Sequence, residues 1–335
     1  NDMQYAGRPG VEDLFELQKE GKNAELRANF ADFLKSFEAP DYSDYHVPLW
    51  RSECTAQGCT DQLLEQPTVQ TTLTARLTKE AVRFVTTQAD QPFFLYLPYT
   101  MPHLPIFADE AFQGRSLGGP YGDTVEEIDW SVGQIIKALE TAGLNENTLV
   151  FFSSDNGPWH SASTEFSGSA GPFKGSKQEV YEGGVRVPTV FWWPGKVTPK
   201  VTSELGSVLD LYTTIATITG IDASTAVDGV DLTHSLFTGA ASPRKAVALY
   251  RKGELRAYRK GDYKLHLFDR AQGGSLLETP ELYNLKRDVA EQENIAAKHP
   301  EIVEDLLRAV ETHHATMTRK PPLFDQRFLN SPSNE

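Results

Sequence analysis

A chain of 335 residues, 39% hydrophobic and 23% charged, is long enough to bury one large α/β domain and a smaller appendage. Its 46 acidic against 32 basic residues leave a formal charge of −14, which disfavours non-specific binding to nucleic acid or to an anionic membrane surface. No apolar stretch approaches the length of a membrane span; the nearest is residues 92–99.

Residues 1–68 are polar and turn-rich, with a short amphipathic helix expected over 11–17 and a Pro/Tyr/Asp stretch over 39–50. Such a region reads as a surface excursion rather than core. Cys54 and Cys59 sit in a polar loop, 52–61, either as a local disulfide or as two thiols. Without a second Cys or His pair, their spacing argues against zinc. From Thr72 the pattern sharpens. Leu73, Leu77, Ala81, Phe84 and Val85 recur at helical spacing, and residues 93–99 follow as a buried strand. Thr124 three residues before Glu127 has the form of a capping box. Behind it Val125, Ile128, Val132, Ile135, Ile136 and Leu139 form one helical face that Gly143 ends. The run Leu149-Val150-Phe151-Phe152 reads as a strand buried on both faces, as in a parallel sheet. Strand, helix and strand in alternation predict βαβ architecture.

Residues 187–193 predict another short strand, and Asp210 precedes a helix with Leu211, Tyr212, Ile215 and Ile218 on its apolar face, ended by Gly220. After about residue 239 the texture changes. Short segments at 246–250, 255–258 and 263–268, joined by Lys/Gly and Gly-Asp turns, predict an antiparallel meander. Pro300 opens a last helix carrying Ile302, Val303, Leu306, Leu307 and Val310. The organisation is therefore a large α/β part over 1–242 and a small α+β part over 243–335.

Four groups of residues bear chemistry. Asp155 and Asn156 fall just past the carboxyl end of the 149–152 strand, where open α/β sheets bind ligands, and they offer the hard oxygens that suit Ca²⁺ or Mg²⁺. Asn156-Gly157 is also a hairpin-turn signal, but no alternating strand follows it; the chain runs into Pro158-Trp159-His160 and a Ser/Gly-rich loop. His103, between Pro102 and Pro105, follows the expected 93–99 strand and so lies at the same end of the sheet. Lys174 and Lys177 bring ammonium groups beside glycines, suited to a tetrahedral oxyanion. In Glu182-Gly183-Gly184-Val185-Arg186 the paired glycines allow close backbone approach, and Arg186 is placed to pair with a buried carboxylate.

In this order the motifs resemble those of the sulfatases of the alkaline-phosphatase superfamily, close to arylsulfatases and glycosaminoglycan 6-sulfatases. The resemblance rests on Phe93-Phe94-Leu95-Tyr96 leading to Pro102-His103, then residues 149–157, then Lys177 through Tyr181-Glu182-Gly183-Gly184-Val185-Arg186-Val187-Pro188. It continues through Leu209-Asp210-Leu211, Asp228-Gly229-Val230-Asp231-Leu232, Gly261-Asp262-Tyr263-Lys264 and Glu281-Leu282-Tyr283-Asn284-Leu285. It implies an alkaline-phosphatase-like sandwich: a large mixed, mostly parallel sheet, incomplete in this chain, with a small antiparallel α+β subdomain. By position it makes Asp155 and Asn156 two Ca²⁺ ligands and has His103 serve the leaving-group oxygen. It has Lys177 hold the sulfate, with Lys174, Trp159 and His160 as further substrate-binding candidates. It also implies a sulfated small-molecule or glycan substrate and a secreted, periplasmic or lysosomal setting.

The family's Cys-x-Pro-Ser-Arg motif (or its Ser variant), whose first residue becomes the formylglycine nucleophile, is not among these residues; neither Cys54-Thr55-Ala56 nor Cys59-Thr60-Asp61 matches it. The family's amino-terminal carboxylates and its Gly-Lys-Trp-His-type segment are missing as well. Asn1-Asp2 resembles the family just after that part, so the expectation is a carboxyl-terminal portion whose nucleophile comes from an amino-terminal segment, whether truncated, proteolysed or present as a complementary chain. Two other functions stay open: a phosphomonoester or phosphonate hydrolase of the same superfamily, and a non-catalytic homologue that binds sulfated glycans.

Overall fold

The computed structural model describes residues 47–87, 90–159, 164–223, 227–268 and 275–317. They fall into two units interleaved along the chain. One takes the described residues up to Gly171 with Gly184–Lys200 and Leu236–Gly239; the other takes Pro172–Gly183, Val201–Ser235 and the residues from Ala240. The sequence reading placed a single division at residue 242. The helix expected over 11–17 lies outside the described residues.

In the first unit, β1 (Leu49–Thr55) and β2 (Gly58–Glu65) form an antiparallel hairpin where a polar loop was expected. Cys54 and Cys59 face each other across it and are joined by a disulfide. The hairpin escapes a search for alternating apolar residues because both of its faces are exposed. Helix α1 (Leu73–Thr87) buries Leu73, Thr74, Thr78, Ala81 and Val85, and packs on α2 (Gly119–Thr141). A polar link crosses that interface. The Thr78 hydroxyl lies 2.5 Å from the Ser131 hydroxyl, which in turn lies 2.7 Å from the Tyr99 hydroxyl, so each buried oxygen has a partner.

Helix α2 starts a turn before the expected capping box. Pro120 occupies its first turn, and Thr124 and Glu127 are interior residues with buried side chains. Asp123 does the gathering work instead, accepting the backbone N–H groups of Gly114, Arg115 and Ser116. The helix stops as expected, at Gly143 with φ of 69°.

Residues 93–99 run extended, but they join no ladder among the described residues, so the buried strand expected there is not formed in them. Period-two burial survives. Phe93 and Leu95 pack with Val85, Ala138 and Leu139, while Phe94 and Tyr96 are each 75% exposed. Strand β3 (Val150–Ser153) pairs antiparallel with β4 (Thr189–Trp192), from Val150 opposite Trp192 to Ser153 opposite Thr189. The expected burial on both faces in a parallel sheet is therefore not met here: Phe152 and Val190 are exposed. All ladders among the described residues are antiparallel.

In the second unit, α3 (Asp210–Thr219) ends where Gly220 turns left-handed at φ of 70°, as the sequence predicts. The meander comprises β5 (Ala246–Arg251), β6 (Glu254–Lys260), β7 (Tyr263–Phe268) and β8 (Leu276–Asn284) in that spatial order. Its core of Leu255, Leu265, Leu267 and Leu282 packs with Leu306 and Val310 of α4 (Pro300–Thr316). At the start of α3 the fully buried Asp210 accepts N–H groups from Ser207 and Val230 and is gripped by the Arg244 guanidinium.

Candidate functional site

His103 sits on a turn that follows the extended 93–99 segment, between Pro102 and Pro105, both of them preceded by cis peptide bonds. Its neighbours Met101, Leu104, Ile106 and Phe107 are buried with Ile128, which fixes the turn against α2. The ring is half-buried, and its Nδ1 lies 2.5 Å from the Leu104 carbonyl oxygen. A carbonyl only accepts, so Nδ1 carries the hydrogen and Nε2 is the nitrogen that takes up and releases a proton in that tautomer.

Asp155 and Asn156 lie immediately beyond the carboxyl end of β3, as the sequence reading placed them. The loop is not a tight hairpin. The partner of β3 is β4, more than thirty residues on, and the loop is held by the Gly157 N–H bonding the Gly184 carbonyl at 2.9 Å. Asp155 is exposed; the Asn156 Nδ2 donates to the Gly157 carbonyl at 2.9 Å, which orients the amide. Trp159 of the same loop packs on the cluster around Met101 and Leu104, and its ring centroid is 6.0 Å from that of His103. The four-residue step from Trp159 back to Asp155 spans at most about 14 Å, so the Asp155-Asn156 loop and His103 belong to one neighbourhood of the first unit. His160 lies outside the described residues.

The donor set can be weighed against the divalent ion that the resemblance implies. A carboxylate and an amide oxygen are the hard donors Ca²⁺ takes, but such an ion requires roughly six to eight of them. Among the described residues no group of three His, Cys, Asp or Glu is placed to hold a metal ion. The two residues thus offer donors of the kind Ca²⁺ takes, fewer than a full coordination shell.

The lysines belong to the second unit. Lys177 is half-buried and occupies the second position of a turn in which the Glu179 N–H bonds the Ser176 carbonyl at 3.0 Å and Gln178 adopts φ of 76°. The Glu179 carboxylate accepts the Ser176 N–H, which stiffens the turn. The Lys174 ammonium donates to the Glu291 carbonyl at 2.9 Å and lies 4.3 Å from the centre of the Tyr181 ring. Arg186 is exposed, whereas Glu182 is the buried charge of that segment.

Two features were missed in the sequence. In the second unit Glu182, Lys264, His266 and Glu291 form a buried cluster. Lys264 Nζ lies 3.0 Å from Glu182 and 3.2 Å from Glu291, Arg259 reaches Glu182 at 3.1 Å, and His266 Nε2 lies 2.7 Å from Glu291. Burial holds the His266 imidazole below its ordinary value despite the carboxylate beside it. Burial also pushes Glu291 upward, but the hydrogen bond from His266 and the charge of Lys264 outweigh it and leave the carboxyl below its ordinary value. In the first unit the buried Glu127 accepts the Asp109 N–H with one oxygen while the other has no hydrogen-bond partner among the described residues, and burial raises its affinity for a proton. Residue identity alone marks none of these as buried. The sequence shows the Gly-Asp-Tyr-Lys turn and the Glu-Gly-Gly segment as motifs, and only the fold shows that Lys264 and Glu182 meet.

Comparison with known proteins places these features in context. Residues 11–221 match the family described as Sulfatase, and residues 242–334 match the C-terminal region of aryl-sulfatase. The chain is 38% identical over 229 residues to N-acetylgalactosamine-6-sulfatase of Mus musculus, covering 67% of this chain and 44% of the relative. It is 36% identical over 242 residues to arylsulfatase A of Homo sapiens, covering 65% and 48%. It therefore spans about half the length of the curated relatives it matches. A Bacteroides thetaiotaomicron protein solved in work on glycosaminoglycan metabolism superposes with a TM-score of 0.65 at 27% identity, over 72% of this chain and 54% of that one.

Proposed function

The chain belongs to the sulfatase family and shares its alkaline-phosphatase-like α/β fold, and from that premise we propose that the protein hydrolyses a sulfate monoester of an aryl or sugar substrate. The observation that carries the reading is the meeting of two loops: His103 packs near Trp159, whose loop presents Asp155 and Asn156 at the end of β3. Asp155 and Asn156 would hold one side of a Ca²⁺ ion, which when bound supplies positive charge to the sulfate oxygens. His103, its tautomer set by the Leu104 carbonyl, donates a proton from Nε2 to the leaving oxygen when the imidazole is protonated. Lys177 holds the sulfate oxygens with its ammonium, Trp159 lines the sugar or aryl side, and Lys174 and His160 are secondary contacts.

The nucleophile in this reading comes from a segment not among these 335 residues. In support, the sequence contains two cysteines, and they are paired with each other, so neither is a thiol that could be oxidised to formylglycine. The exposed Phe94 and Tyr96 on an unladdered extended segment fit the same reading, since strands of a complementary sulfatase portion would cover them. A disulfide-permitting compartment, secreted, periplasmic or lysosomal, accords with the Cys54–Cys59 bridge, and no described helix is long and apolar enough to cross a membrane.

The test is a parallel assay of aryl sulfate and aryl phosphate on protein expressed from the complete gene. Hydrolysis of the sulfate that chelation abolishes, Ca²⁺ restores and His103→Ala strongly reduces is the expected result. Faster turnover of the phosphate would replace this reading with the phosphohydrolase one. Binding of sulfated glycan with no turnover of either ester would replace it with the binding homologue.

A further inference from the structure

The segment that carries Lys177 is a loop closed at its base. Gly183 N–H bonds the Lys174 carbonyl at 2.7 Å, and a Cβ at Gly183 would fall 2.5 Å from the Gly175 carbonyl oxygen, so the two strands of the base approach as closely as glycine permits. One residue outside the loop grips both of its ends. The Glu291 main-chain carbonyl accepts the Lys174 ammonium at 2.9 Å, while its carboxylate accepts the Glu182 N–H at 2.6 Å. The other carboxylate oxygen is held by His266 and Lys264. Tyr181, next to Glu182, stacks on His266 at 4.5 Å between ring centroids.

We infer that Glu291 is a positioning residue for Lys177, stapling the loop so that the ammonium at its tip stands where it holds the sulfate group. The inference rests on the sulfate-holding role given to Lys177 above. Its physical basis is economy of contacts. Glu291 is fully buried and its backbone is left-handed at φ of 50°, both unfavourable for glutamate, and apolar packing would hold the unit together without either. What apolar packing would not do is fix the separation of Lys174 and Glu182. Two residues separate Lys174 from Lys177, and the Ser176–Glu179 turn is rigid, so a shift at the base moves the tip. Charge balance permits the arrangement: Glu182 and Glu291 face Lys264 and Arg259, with His266 held neutral.

A double-mutant cycle on protein expressed from the complete gene tests it, with inorganic sulfate as competitive inhibitor of aryl-sulfate hydrolysis. Glu291→Gln keeps the size and an acceptor for Glu182 but loses the charge; Glu291→Asp keeps the charge but shortens the reach, and serves if the first variant does not fold. Either variant should raise the inhibition constant for sulfate roughly tenfold in the wild-type background and less than about twofold in a Lys177→Met background. Equal factors in both backgrounds, or no change in the wild-type background, would show that Glu291 only holds the unit together and would overturn the inference. If Lys177→Met by itself leaves sulfate inhibition unchanged, the sulfate-holding role fails and the positioning role fails with it. The two failures are thus told apart by the single variant.

Discussion

Replacing Lys264 by Met is the sharpest probe of the second unit. The methionine keeps much of the apolar stem, while the ammonium, 0% exposed and within 3.0 and 3.2 Å of two carboxylates, is lost. At an effective dielectric of about 20 each of those contacts is worth roughly 5 kcal/mol of Coulomb attraction, offset by the desolvation of an ammonium that methionine never undergoes. What remains is two buried carboxylates with Arg259 on Glu182 and the neutral His266 on Glu291, one negative charge in excess, a net loss of about 3–5 kcal/mol. Set against about 5–15 kcal/mol for a whole domain, that is a large share of the unit's stability. Hydrogen–deuterium exchange of the β6 and β7 amides is the suitable assay, because Ala257 and Leu265 in those strands are fully buried and exchange through opening of the unit. Protection should fall roughly 10²- to 10⁴-fold, and adding Glu182→Gln to Lys264→Met should recover part of it by removing the unpaired charge. A fall of less than about tenfold would refute the argument, since it would mean the carboxylates find water or protons without cost.

Three further outcomes follow from the same structure. Because burial keeps the folded His266 imidazole below the 6.5 of the unfolded chain, the unfolded state binds a proton first and stability falls as pH drops through 6.5. His266→Gln should flatten urea-unfolding stability between about pH 5 and pH 8, removing up to roughly 1.4 kcal/mol per pH unit of the slope. An unchanged slope would place the imidazole outside the buried cluster. Gly183→Ala would set a methyl 2.5 to 2.6 Å from two carbonyl oxygens and should cost about 1–3 kcal/mol or more, read as a lowered urea midpoint. Asp210→Ala strands the Arg244 guanidinium and two backbone N–H groups, and should lower the unfolding temperature by roughly 6–20 °C in calorimetry.

Helices α1 to α4 were legible because each writes its apolar residues at a period near 3.6 over ten or more residues, and Gly143 and Gly220 mark stops that only a left-handed residue makes easily. The capping box at Thr124 and Glu127 misled because a side-chain spacing does not say where the first turn begins; Pro120 and the N–H groups gathered by Asp123 decide that. The hairpin of β1 and β2 was hidden for a different reason, as a polar strand leaves no periodic trace. Pairing partners were equally invisible: the alternation in 93–99 is in the residues, whereas a ladder needs a neighbour that the residues do not name.

For the proposed site, His103, Asp155, Asn156 and Lys177 were put forward by the order of motifs shared with the sulfatases, since each signal taken alone is weak. Burial and partners came from tertiary structure alone. Lys264, Arg259, Glu182 and Glu291 carry the same charges as surface residues, and their meaning changes only when distant segments fold together and exclude water, which turns four ordinary ions into one balanced cluster. Local sequence records what a side chain can do; the dielectric around it is a property of everything packed against it.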